Sequence, residues 1–144
     1  MMRRLREGLL VAALVASPGA HAAGEVTVYK NPHCGCCVKW IEHLQQNGFQ
    51  VSSRDVVDLS EIKARYGVRP YLASCHTAVV DGYVLEGHVP AEAVKRLLQE
   101  RPPVKGLAVP GMPVGSPGME GPDPQPYNVY TFDDKGDVQV YLRY

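Results

Sequence analysis

The chain has 144 residues, 45% of them hydrophobic and 21% charged, with 15 basic and 15 acidic side chains in balance. That composition describes one ordinary globular domain. There is no charge excess to draw nucleic acid, and no apolar run near the roughly 20 residues that cross a bilayer, so partners must be recognised by a site.

The first 22 residues read as a secretory signal. Arg3, Arg4 and Arg6 make a positive start, Leu9 to Ala16 (LLVAALVA) is a short apolar stretch, and Ala20-His21-Ala22 is a small-x-small cleavage pattern, giving a mature chain from Ala23. Cleavage would leave 12 basic and 14 acidic groups, a net charge of −2, and no membrane span. About 122 residues can bury a core without disulfide staples. Residues 23–144 are read as a single domain.

Glu25 to Lys30 (EVTVYK) alternates as a strand and stops at Asn31-Pro32. Cys34 then opens an amphipathic helix whose inner face carries Cys37, Ile41 and Leu44, ended by Asn47-Gly48. His43 on this helix is expected to face solvent and Trp40 to join the core. Phe49 to Val57 is a second strand. Asp58 and Glu61 have the spacing of a capping box for a short helix reaching about Tyr66 and closed by Gly67, after which Pro70 breaks the chain.

Ser74 to Val80 (SCHTAVV) and Tyr83 to Glu86 (YVLE) flank Asp81-Gly82, a strong hairpin signal. Pro90 suits the first turn of a third helix, with Val94, Leu97 and Leu98 as its apolar stripe and Pro102-Pro103 as its stop. The order βαβα then ββα predicts an α/β fold: a thioredoxin-like mixed sheet with helices on both faces. Residues 104–126 hold 5 Gly and 6 Pro, together with Met112 and Met119, and are expected to form a long functional loop with neither helix nor inner strand. A C-terminal β-hairpin over residues 127–143 completes the chain.

Chemistry concentrates in four cysteines. Cys34, Cys36 and Cys37 form CGCC at the strand-to-helix junction, where free N–H groups favour a Cys34 thiolate as nucleophile or metal ligand. Cys37, one turn in, would be a resolving thiol or second ligand. At most Cys34 and Cys37 bridge locally, leaving Cys36 or Cys75 over. A simple thiol oxidoreductase does not need Cys36, and three sulfurs in one turn suit bridging of soft ions. Cu(I), zinc and iron–sulfur all accept thiolates, although zinc usually takes two separated C-x-x-C pairs. Cys75 falls just before the third strand, where a thioredoxin-like domain usually has a cis-proline, and would add a fourth sulfur. His33, His76 and His88 are weaker candidates to reach the metal or tune a thiol. Met112 and Met119 are soft donors on a loop long enough to cover the site.

Three phrases, KNPHCGCCVKW, SCHTAVVDGYVLEGHVP and GLAVPGMPVGSPGME, resemble in this order the periplasmic copper-resistance CopG family, long listed as a domain of unknown function. The resemblance spans essentially the whole mature chain. It implies a thioredoxin-like fold, a periplasmic location, a copper site ligated by Cys34, Cys36, Cys37 and Cys75, and a role in copper tolerance that extends to interconversion of Cu(I) and Cu(II). Expected partners are copper ions and periplasmic copper-handling or redox proteins. On this reading a reduced CGCC and Cys75 gather one or more Cu(I) ions as a thiolate cluster. The rival is a metal-independent thiol–disulfide oxidoreductase with Cys34 attacking and Cys37 resolving. A third alternative is a secreted binding module with a structural Cys34–Cys37 disulfide.

Overall fold

Residues 24–144 are described by the structure, a computed structural model; the signal sequence of residues 1–22 and the cleavage site lie outside them. Strand β1 (Val26–Lys30) buries Val26 and Val28 completely, as its alternation demands. Helix α1 (Gly35–Gln46) returns the chain to β2 (Val51–Asp55), which lies parallel to β1. Helix α2 (Ser60–Arg65) and a 3₁₀ turn at Pro70–Leu72 lead to the hairpin of β3 (His76–Val80) and β4 (Tyr83–Glu86). Asp81 and Gly82 both take positive φ, 47° and 84°, as a tight two-residue turn requires.

Helix α3 (Ala91–Glu100) follows, then β5 (Gly106–Ala108), β6 (Asn128–Phe132) and β7 (Val138–Arg143). The strands form one sheet in the order β2-β1-β3-β4-β5-β6-β7. Its first four strands, with β3 antiparallel to β1 and β4, have the thioredoxin-like arrangement. α1 and α3 pack on one face, where Trp40, Leu44, Val94 and Leu97 meet Val28, Ala78 and Leu85. The other face is covered by the α2 side, where Val68 and Leu72 meet Val84 and Phe132. No helix among the described residues is long and apolar enough to cross a membrane.

Two expectations need correction. The stretch 104–126 does contain an inner strand, since β5 lies between β4, with which it is parallel, and β6. A Cβ on Gly106 would lie 1.9 Å from the Val84 carbonyl oxygen, so this glycine is what lets the two backbones approach. The capping box also does not form. Asp58 Oδ1 accepts the Ser60 N–H at 2.9 Å, a turn around Leu59, and no side chain caps α2.

The remaining strap, residues 109–126, is held by its own hydrogen bonds, including Gly115 N–H to the Met119 carbonyl at 2.9 Å and Gln125 N–H to the Val114 carbonyl at 2.8 Å. It fastens to the core where Gly111 N–H reaches the Ala73 carbonyl at 3.2 Å and Ser74 Oγ donates to the Gly111 carbonyl.

Candidate metal centre

The fold brings the CGCC turn and the start of β3 together. Cys34 is the N-cap of α1, with extended backbone (φ −80°, ψ 92°), so the helix begins directly beneath the sulfurs with no side chain capping it. The sulfur atoms of Cys34, Cys36, Cys37 and Cys75 all lie within 4.8 Å of one another. Cys34 and Cys37 are joined as a disulfide across a Cα separation of 5.3 Å, while Cys36 and Cys75 are free. Cys36 Sγ stands 3.5 Å from Cys34 Sγ and 3.8 Å from Cys75 Sγ. Cys37 is fully buried, as the inner-face position predicts.

A second group shares Cys75. His88 Nε2 is 3.0 Å and His76 Nδ1 3.4 Å from Cys75 Sγ. Both imidazoles are completely buried. His88 Nδ1 lies 2.7 Å from the Pro117 carbonyl of the strap. A carbonyl can only accept, so Nδ1 carries the proton and Nε2 turns its lone pair toward Cys75, the arrangement typical of a metal-ligating histidine. His76 packs on Trp40 with ring centroids 4.3 Å apart, and its Nε2 is the one buried side-chain polar atom among the described residues with no partner. Such an orphan costs free energy unless something binds it.

Burial sets the protonation of this group. Desolvation pushes the Cys75 thiol up to about 12, with the nearby Cys36 sulfur adding to the shift. Desolvation also lowers His76 well below the ordinary imidazole value, with His88 and Lys63 adding to it, and lowers His88 despite the opposing Pro117 hydrogen bond. The site therefore rests with a neutral thiol and two neutral imidazoles. A soft cation entering it would displace the thiol proton and find lone pairs ready. Sulfur together with neutral imidazole is a donor set that fits copper.

Behind Cys75 lies a buried ionic cluster that the sequence reading passed over. Glu86, 0% exposed, accepts from Lys63 Nζ (2.5 Å) and Ser74 N–H (2.7 Å) on Oε1, and from Thr77 Oγ1 (2.6 Å) on Oε2. Burial raises the Glu86 carboxyl above its ordinary value, against the downward pull of Lys63 and the hydrogen bonds. This carboxylate ties α2, β3 and the residue preceding Cys75 to one point. The signal available beforehand was a glutamate closing the otherwise apolar strand candidate Tyr83 to Glu86 (YVLE).

The strap closes the site from the other side. Gly118, at φ +89°, sits so close to α1 that a Cβ would lie 2.8 Å from the Cys36 carbonyl oxygen, 3.0 Å from Trp40 N and 3.1 Å from His88 Nδ1. Glu120 Oε1 accepts the Gly118 N–H at 2.8 Å. Of the weaker candidates, His76 and His88 join the sulfurs. His33 is exposed beside Cys34, its N–H bonded to Asn31 Oδ1, and belongs to neither donor group. Met112 is 51% exposed, and Met119 is partly buried with its backbone used inside the strap. His43 does not face solvent freely: its Nε2 accepts the Ala91 N–H at 3.0 Å and so caps α3. Trp40 is core, its indole N–H donated to the Val89 carbonyl at 2.9 Å.

A family model described as a protein of unknown function, DUF411, matches residues 72–119, from the end of the 3₁₀ turn into the strap. Two solved structures, forms 1 and 2 of a copper resistance protein CopG, are each 45% identical to the chain. Form 1 gives a TM-score of 0.80 over 85% of this chain and 98% of its own, and form 2 gives 0.79 over 83% and 97%. No curated protein matches the chain.

Proposed function

The chain belongs to the copper-resistance CopG family, and from that premise we propose that it is a periplasmic copper-binding protein, exported by the signal sequence of residues 1–22, that holds Cu(I) for copper tolerance. The ligands are Cys34, Cys36, Cys37 and Cys75, with His76 and His88 completing the donor set. The observation that carries this reading is the convergence of four sulfurs within 4.8 Å, with a second group of two neutral imidazoles built on the same Cys75.

With all four cysteines reduced, the thiolates outnumber what one two- or three-coordinate Cu(I) requires, which favours a bridged, polynuclear cluster. With Cys34 and Cys37 joined, two sulfurs and the imidazoles remain, a poorer Cu(I) set that accommodates Cu(II) better. The dithiol state thus sets which oxidation state of copper is preferred: closing the Cys34–Cys37 bond breaks two S–H bonds, releases two protons and supplies the two electrons that take two Cu(II) to Cu(I), and reopening it requires a two-electron reductant. Met112 and Met119 serve as strap donors to arriving or departing metal, and His33 stands at the rim.

The test is an anaerobic titration of the reduced mature protein with Cu(I) against a competing chelator, following thiolate-to-copper absorption and final stoichiometry. More than one Cu(I) per chain, lost in Cys75→Ser, is the expected result. No uptake beyond what the chelator holds would refute the copper reading. The disulfide of Cys34 and Cys37 favours a second reading, a metal-independent thiol–disulfide oxidoreductase. Cys36→Ser separates them: it should leave disulfide exchange largely intact and weaken copper loading.

A further inference from the structure

The Cys34–Cys37 disulfide does not exhaust the redox capacity of the site. Cys36 and Cys75 remain as thiols with their sulfurs in contact at 3.8 Å. They come from different elements, the first turn of α1 and the residue before β3, so an S–S bond between them would cross-link the two halves of the site. A bond would bring two sulfurs now 3.8 Å apart to about 2.05 Å, with the Cβ–S–S–Cβ geometry of a disulfide. They are the two free thiols among the described residues, the Cys34 sulfur 3.5 Å from Cys36 being held in the Cys34–Cys37 disulfide.

We infer that Cys36 and Cys75 form a second dithiol/disulfide couple, independent of Cys34 and Cys37, which lets the chain reduce two Cu(II) ions after its first disulfide has formed. The copper part rests on the function proposed above; the couple itself does not. In the step, both S–H bonds break and one Cys36–Cys75 S–S bond forms. Two protons pass to solvent, and the two electrons reduce two Cu(II) to two Cu(I). The reaction consumes the last two thiol ligands, so the Cu(I) it generates has lost its sulfur donors and leaves the site. The chain then has three states: four thiols, one disulfide with two thiols, and two disulfides. Copper retention falls at each step.

The experiment starts from mature protein carrying only the Cys34–Cys37 disulfide, verified by two free thiols per chain and no link between the CGCC and Cys75 peptides, under anaerobic conditions. One portion receives diamide, a metal-free thiol oxidant. The other receives Cu(II) with an excess of a chromogenic Cu(I) chelator. Digestion without reduction and mass spectrometry should find the CGCC peptide linked to the Cys75 peptide in the monomer from both portions, a link absent in Cys36→Ser, and the copper portion should yield two Cu(I) per chain. In Cys75→Ser the linked peptide should vanish, and any thiol oxidation should appear as a covalent dimer through Cys36. Failure of diamide to link Cys36 to Cys75, or linkage only between chains, would overturn the inference. A diamide-formed bridge with no Cu(I) produced would leave the couple standing and count against the copper reading instead.

Discussion

Cys75 stands between two buried polar clusters that obey opposite rules. On the α2 face of the sheet, Glu86 accepts from Lys63, Ser74 and Thr77, and both carboxylate oxygens are engaged. On the α1 face, His76 and His88 are as deeply buried, yet His76 Nε2 has no partner. A satisfied cluster rigidifies its surroundings, whereas an unsatisfied one is destabilising until a ligand arrives. Under the proposed function, the first cluster shapes the Cys75 turn and the second, whose His76 Nδ1 lies 3.4 Å from Cys75 Sγ, meets the metal.

Glu86→Leu would break the comparison most severely. It leaves the Lys63 ammonium, the Ser74 N–H and the Thr77 hydroxyl without their acceptor, and should cost about 3 kcal/mol in denaturant unfolding. If stability barely changes, the cluster is not the brace described here. Gly118→Ala acts on the opposite wall. Its Cβ meets the Cys36 carbonyl, Trp40 N and His88 Nδ1 in a left-handed backbone conformation. A loss of about 1–3 kcal/mol is expected. Because the strap carbonyl that orients His88 moves with it, Cu(I) affinity should also fall about tenfold, read by chelator competition.

His76→Leu sharpens the contrast. Removing an unpartnered buried nitrogen and keeping the volume should change folding stability by less than about 1 kcal/mol, in either direction. Copper affinity should nonetheless drop about tenfold or more. A variant that unfolds readily while binding copper normally would reverse the two roles.

The smallest effect is a pH dependence. Both imidazoles are held below the ordinary value by burial, so the folded chain resists protons that the unfolded chain takes up below about pH 6.5. Stability contributed by these groups is therefore intact above that pH and declines as pH falls through 6 toward their lowered values. Thermal melts of the metal-free protein from pH 7.5 to 5.5 should fall by a few degrees, and the fall should be shallower in His76→Leu.

Much of this was legible in the residues. The helix opening at Cys34, the Asp81-Gly82 hairpin and the position of Cys75 before β3 all follow from local patterns, which is why the four sulfurs could be grouped in advance. What was not legible depends on contacts across the sheet. Nothing local says that Lys63 will reach Glu86, 23 residues away, or that Pro117 will orient His88, 29 residues before it. β5 was hidden for a different reason: Gly and Pro counts over 23 residues argue for loop, while a three-residue strand needs only one glycine in the right place. His43 was misread because amphipathic spacing assigns a side chain to a helix face and cannot foresee that the start of another helix will come to it.

The separation of the cysteines along the chain also sets an order of assembly. Cys34 and Cys37 are three residues apart, so they can meet as soon as the first turn of α1 forms, at little loop-closure cost. Cys36 and Cys75 are 39 residues apart and meet only after β3 has docked on β1. In a chain exported as proposed above, the near pair is thus captured early. The far pair stays reduced until β3 has docked, and the strap, which follows both pairs in the chain, closes over sulfurs that have already been sorted.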